Sequence, residues 1–299
     1  MPQSSAVVQL ALNSAAAGSE IALLGLSFAL IYRTARFLHF AHASIFAGSA
    51  YLTLVATRTL HLPFVVSAAL GITLGAALGG MMEVTVYRSV RRRKGSALVL
   101  LLASLGVYVV CQNLLSLAFG DDVLTFPSGE QSEGLHFFGG RISRSRCIIL
   151  AVAVASFAGC ASTLRMTRAG KCFRAVVDSP DLARISGIDP DRTVLWAFLV
   201  GSGLAGVVGV LVALDLGMTP LMGLGPLMTA VVALILAGHG RVLGIAVAST
   251  FVAVVQQVVV WYLGSKWQDA AVFGILLVLL VVTPRGLAGT NERVMSNKV

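Results

Sequence analysis

The chain has 299 residues, of which 57% are hydrophobic and only 12% charged, with a net charge of +9 and a mean hydropathy of +0.88. So little polar surface cannot cover a soluble globule of this size, which excludes a cytosolic enzyme, a disordered chain and a disulfide-stapled secreted domain. The positive charge lies in short patches between apolar runs, the pattern of cytoplasmic loops in membrane proteins, so no nucleic-acid partner is expected.

The N-terminus lacks a basic region followed by a short apolar core and a cleavage site, so no removable signal peptide is expected. Apolar runs at 7–32, 37–57, 64–87, 97–119, 147–164, 194–214, 224–237, 243–263 and 270–283 predict an all-α polytopic membrane protein. It forms a single domain over residues 1–299 with eight or nine transmembrane helices. The run 224–237 is too short for an ordinary crossing and is expected to be broken or re-entrant, ending at Gly238-His239-Gly240-Arg241.

Within the first run, Glu20 follows the small residues 15–19 and is a candidate for lining a polar cavity; an outer-interface position accounts for it equally well. His39 and His42 are three apart, on one face if that stretch is helical. With no third ligand nearby in sequence, packing and hydrogen bonding are preferred there over a metal site. Gly71, Gly75 and Gly79 form one small-residue stripe and Gly201, Ala205 and Gly209 another, each expected to let helices of one bundle approach closely. Glu83, one turn before Tyr87 and Arg88, is expected to form a structural ion pair. Cys111, Cys147, Cys160 and Cys172 show no paired spacing and read as packing residues.

Two loops set the orientation. Residues 88–94 carry five positive charges and no acid, and residues 165–192 carry Arg165, Arg168, Lys171, Arg174, Arg184 and Arg192; both are expected to face the cytoplasm. The loop 120–146, with Asp121, Asp122, Glu130 and Glu133, is then expected outside, with the N-terminus on the same side. If all nine runs cross, Arg285, Arg293 and Lys298 of the tail fall inside.

No nucleotide site is expected on this chain: Cys172 follows Gly170-Lys171, and Arg165 stands where a phosphate loop has its first glycine. In the loop 165–192, Ser179 is a helix N-cap, Pro180 fits the first helical position, Asp181 complements the positive helix end and Gly187 ends the turn. Leu182, Ile185 and Ile188 leave apolar side chains with no core to cover them, which points to a docking element.

Here the chain resembles the permease family of ABC importers for branched-chain amino acids, the LivH type. Asp181-Leu182-Ala183-Arg184-Ile185-Ser186-Gly187 is similar to the family's coupling-loop motif Glu-Leu-Ala-x-x-x-Gly, with Arg174-Ala175 before it. His39-Phe40-Ala41-His42-Ala43 resembles its Asn-Phe-Ala-His-Gly, and 83–91 its Glu-Arg-x-x-Tyr-Arg-Pro-Leu-Arg. Gln112-Asn113 corresponds to a polar pair of its next span, and residues 198–209 to its small-residue helix. His39 for Asn, Ala43 for Gly, Ser44 for an acidic residue, Glu20 for a neutral or aromatic residue, and the 238–241 turn depart from the pattern.

The resemblance implies an ABC importer permease fold in a bacterial inner membrane, with Arg174, Asp181, Leu182, Ala183 and Gly187 coupling to an ATPase. It also implies two ATP-binding subunits, a second homologous or identical permease, a substrate-binding protein and an amino-acid substrate. ATP and magnesium would sit on the partners and no cofactor on this chain. Glu20, His39, His42, Gln112 and Asn113 are the translocation-path candidates. The family also contains permeases for urea, amides and other amino acids. A different class, an ion-coupled secondary transporter or channel acting alone, would use Glu20 and His42 as gates, and a purely structural membrane anchor is a third reading.

Overall fold

The computed structural model describes residues 3–126, 135–137, 140–238 and 242–282. Each of the nine predicted apolar runs contains a helix. They are α1 (Gln3–Ala35), α2 (His42–Thr59), α3 (Phe64–Met82), α5 (Ala97–Phe119), α6 (Arg144–Met166), α9 (Pro190–Leu216), α10 (Leu224–Ala237), α11 (Val242–Leu263) and α12 (Gln268–Val282). Among the described residues, six helical stretches are long and apolar enough to cross a membrane on their own; α2, α10 and α12 are not among them. The turn at His239, Gly240 and Arg241, and the tail with Arg285, Arg293 and Lys298, lie outside the described residues, as do Glu130 and Glu133.

α1 is the centre of the bundle. It is apolar on all faces, so burial on all faces is the stable solution, and it packs against α11, α9, α10 and α6. Leu23, Leu24, Phe28 and Ile31 along it are fully buried. Around it the small-residue stripes bring backbones together within the chain. Gly71 and Gly75 of α3 face Thr53 and Ser49 of α2, and Gly79 faces Ser202 of α9. A side chain at Gly201 would stand 2.7 Å from the Ser27 carbonyl of α1, and one at Gly209 would meet the Phe46 backbone of α2.

The side-chain ties sort the helix ends into two levels. At one end Arg88 pairs with Asp191 at 2.9 Å, and Arg36 donates to the carbonyls of Val177 and Asp178 at 2.8 and 3.3 Å. At the other, Arg146 pairs with Asp215 at 2.9 Å, Arg58 donates to the Thr125 carbonyl at 3.0 Å, and Leu124 bridges Met218. Gln9, near the start of α1, holds Arg141 through its backbone. The 88–94 and 165–192 loops therefore share one end, and the 120–146 loop shares the other with the N-terminus. The two basic loops thus gather at one end of the bundle.

Two departures from the predicted spans matter. The run 37–57 is helical only from His42; residues 36–41 are irregular chain folded into the bundle. Backbone away from water must be paired, and Ser104 of α5 does it, accepting from the Phe40 N–H at 3.2 Å and donating to the Leu38 carbonyl at 3.1 Å. Beyond α3 the helix continues through a π-turn at Glu83–Tyr87 into α4 (Arg88–Arg92). Glu83 pairs with Arg91, not with Tyr87 or Arg88 as spacing predicts, while Arg88 turns to Asp191. A π-turn adds one residue to its turn, so Arg91 occupies the place that the seventh residue on has in a regular helix, two turns above Glu83.

A two-stranded antiparallel ribbon, β1 (Leu135–Phe137) with β2 (Gly140–Ile142), precedes α6. The loop 165–192 holds two helices where one was expected: α7 (Arg168–Asp178) and α8 (Pro180–Ile185).

Candidate functional site

Three features gather the polar chemistry. The first is the α7–α8 arm. Thr167 caps α7, accepting from the Gly170 N–H at 3.0 Å, and Phe173 and Val176 turn its apolar face inward. Ser179 caps α8, accepting from the Leu182 N–H at 3.4 Å, with Pro180 in the first turn. Gly187 ends it at φ +80°, in the left-handed region that an L side chain enters only with strain, and the Ile188 N–H returns to the Ala183 carbonyl at 2.9 Å. Leu182 is 65% exposed and Ile185 83%, whereas Ala183 is only 3% exposed. The six-residue helix thus presents an apolar outer edge on a base fixed to α1 through Arg36.

The second is a buried aromatic and imidazole box where α1 turns into α2. The His39 and His42 rings are 5.6 Å apart between centroids, and Phe37, Tyr87 and Phe198 close around His39 at 5.1–6.1 Å. His42 Nε2 and the Ser27 hydroxyl are hydrogen-bonded at 2.9 Å; both His39 ring nitrogens lack a partner among the described residues. No group of three His, Cys, Asp or Glu side chains there is arranged to hold a metal ion, again among the described residues.

The third is a cavity of about 220 Å³ between α1, α2, α9, α10, α11 and α12. Glu20, Thr229, Gln256 and Asp269 contribute its polar wall; Leu24 and Phe46 belong to its apolar wall. Glu20 stands seven residues before Ser27 on α1, about 10 Å along the axis, so the cavity lies further than the histidine box from the α7–α8 end.

The chain matches a family model described as branched-chain amino acid transport system / permease component, over residues 10–281. It belongs to that family. Among its relatives are the high-affinity branched-chain amino acid transport system permease protein LivH of Salmonella typhimurium and that of Escherichia coli K12. Each is 26% identical, with 94% of both chains covered. The corresponding protein BraD of Pseudomonas aeruginosa is 24% identical over 98% of this chain and 99% of its own. The fold is shared with one chain of a solved structure titled PsaBC from Streptococcus pneumoniae in complex with Fab. The TM-score is 0.51 at 12% identity, covering 93% of this chain and 91% of that one.

In this permease, then, the predicted residues fall into separate places. Arg174, Asp181, Leu182 and Gly187 are exposed on the arm, but Ala183 is buried, because a short helix lying on the bundle must bury one face. Glu20 reaches the cavity; His39 and His42 are walled off in their box. Gln112 and Asn113 are on α5 and line neither the cavity nor the box, and the Asn113 amide donates to its own helix at the Val109 carbonyl, 2.7 Å away. An i,i+1 pair cannot share a helix face, and a helix apolar all round gives no hint of which side is inner. Sequence reasoning missed Thr229, Gln256 and Asp269. Gln256-Gln257, a polar pair inside an apolar run, is the signal that marks α11.

Proposed function

We propose that this permease is the membrane-spanning subunit of an ATP-driven importer carrying branched-chain, hydrophobic amino acids across the cytoplasmic membrane of a bacterium. Two separate ATP-binding subunits supply the drive, a second homologous or identical permease completes the pathway, and a substrate-binding protein delivers the amino acid. ATP and magnesium belong to the partners, and this chain is a transport subunit without a nucleotide site of its own. Family membership and the names of the relatives support the substrate class.

The observation that carries the reading is the α7–α8 arm: an exposed apolar edge at Leu182 and Ile185 on a capped helix whose base is clamped to the central helix. A rigid lever of this kind passes a push from a soluble partner to α1. Coupling needs only modest energy, since a tenfold shift between inward and outward states is about 1.4 kcal/mol.

The test is reconstitution with the two ATPases and the binding protein. ATP-dependent leucine uptake is expected, and Gly187→Asp is expected to abolish it while the permease still inserts. Normal ATP-dependent uptake by that variant overturns the docking role. Uptake by the permease alone, collapsed by a protonophore and indifferent to ATP, overturns the importer reading in favour of a self-sufficient transporter.

A further inference from the structure

The cavity beside Glu20 has a composition that packing does not explain. Glu20 is half-buried within α1 and has no cation within ion-pair distance among the described residues. The nearest basic side chain along that side, Arg146, is already taken up by Asp215 at 2.9 Å and Asn13 at 3.3 Å. Gln256 is 3% exposed, lines the same space, and its amide has no hydrogen-bond partner among the described residues. A carboxylate and an amide left open at membrane depth are costly, and such groups mark binding sites.

Another part of the lining has the complementary polarity. Gly225 and Pro226, in the first turn of α10, form part of its wall, and no side chain caps that 14-residue helix. The Leu224 N–H is taken by the Leu221 carbonyl at 3.3 Å and Pro226 has none, so the first turn offers the Gly225 N–H and the partial positive charge of the helix start, which suits a carboxylate. Ile21, Leu24, Phe46 and Val208 supply apolar lining. A space of about 220 Å³ is smaller than the roughly 300–1,000 Å³ of sites for drug-sized ligands.

We propose that this cavity binds one aliphatic α-amino acid within the single permease chain, with its ammonium group at Glu20 and Gln256, its carboxylate at the first turn of α10 and its side chain against Leu24 and Phe46. Asp269, an exposed residue of the lining, adds a second negative charge. A bare cation leaves the apolar wall unfilled, and a fatty acid places its carboxylate beside Glu20 or leaves Glu20 unpaired. The proposal rests on the amino-acid importer reading for its ligand, and on the cavity alone for its geometry.

The experiment is saturation binding of radiolabelled leucine to the full chain in lipid nanodiscs, with competition by isoamylamine, which keeps the ammonium, and by 4-methylpentanoate, which keeps the carboxylate. Saturable binding is expected, at least tenfold weaker in Glu20→Gln and in Gln256→Leu, with isoamylamine displacing leucine at least tenfold better than 4-methylpentanoate. Absence of saturable binding by the unaltered chain, equal affinity in both variants, or displacement by sodium as effective as by isoamylamine overturns the site. Uptake by the complete assembly is measured in parallel. Leucine uptake without leucine binding to the permease sinks the site and leaves the importer reading; binding without uptake sinks the importer reading and leaves the site.

Discussion

At the scale of single residues, the end that carries the basic loops is held by unequal ion-pair partners. Glu83 is 1% exposed and Arg91 21%. Removing the arginine strands a buried carboxylate, which costs about 3–5 kcal/mol, whereas removing the carboxylate loses a charged hydrogen bond worth about 1.5–3 kcal/mol and leaves Arg91 its second partner, Asp191, at 3.7 Å. Arg91→Met is therefore expected to lower the thermal unfolding midpoint more than Glu83→Gln, measured on the detergent-purified permease; the reverse order would mean that Arg91 is the buried member. Arg36 carries a different load. It sits at φ +58°, just past the end of α1, and spends its guanidinium on the arm. Arg36→Ala is expected to reduce coupled uptake several-fold while the ATPases still bind, read as ATP hydrolysis that substrate no longer stimulates. The pairing of Glu83 was legible as an ion pair and illegible in its partner, because nothing in the sequence announces a π-turn.

At the scale of elements, packing rests on contacts that leave no room for a side chain. Gly75 lies on the Ser49 side chain, and Gly206 approaches the same serine from α9, with 2.7 Å left for a Cβ. Gly75→Leu is expected to force α2 from α3 and destabilise the permease by about 1–3 kcal/mol or more, seen as a lower unfolding midpoint. Gly106→Leu on α5, with nothing near its Cβ position, is expected to leave it unchanged. These stripes were readable because four-residue spacing maps directly to one face. α8 was readable too, since cap, proline and terminal glycine are local signals. α7 was not: its inward residues Gly170, Phe173 and Val176 are spaced by three inside a strongly basic stretch, and charge masked the period. The late start of α2 was hidden for a related reason, as hydropathy does not distinguish a buried irregular strand of chain from a helix.

At the scale of the whole molecule, loop charge sorted the loops into the same two groups that the structure places at opposite ends, because loop charge is a property of sequence alone. The cavity was only partly legible. Glu20 stood out, but Thr229, Gln256 and Asp269 come from three other helices, and only folding brings them to it. In a background without the native cysteines, Asp122→Cys is expected to react with an impermeant thiol reagent on intact cells, and Lys171→Cys only after the membrane is opened. Labelling of Lys171→Cys from outside would invert the molecule and remove the arm from any ATPase. The short α2 has a consequence for biogenesis. It carries His42, Ser44, Ser49, Thr53 and Arg58 in 18 residues and is not among the stretches apolar enough to cross unaided. An insertion machinery that admits segments by hydrophobicity meets it as a weak candidate. Stable residence of α2 in the bilayer must therefore await its neighbours α1, α3 and α9, which makes the middle of this permease the last part to mature and the first to fail quality control when those neighbours are altered.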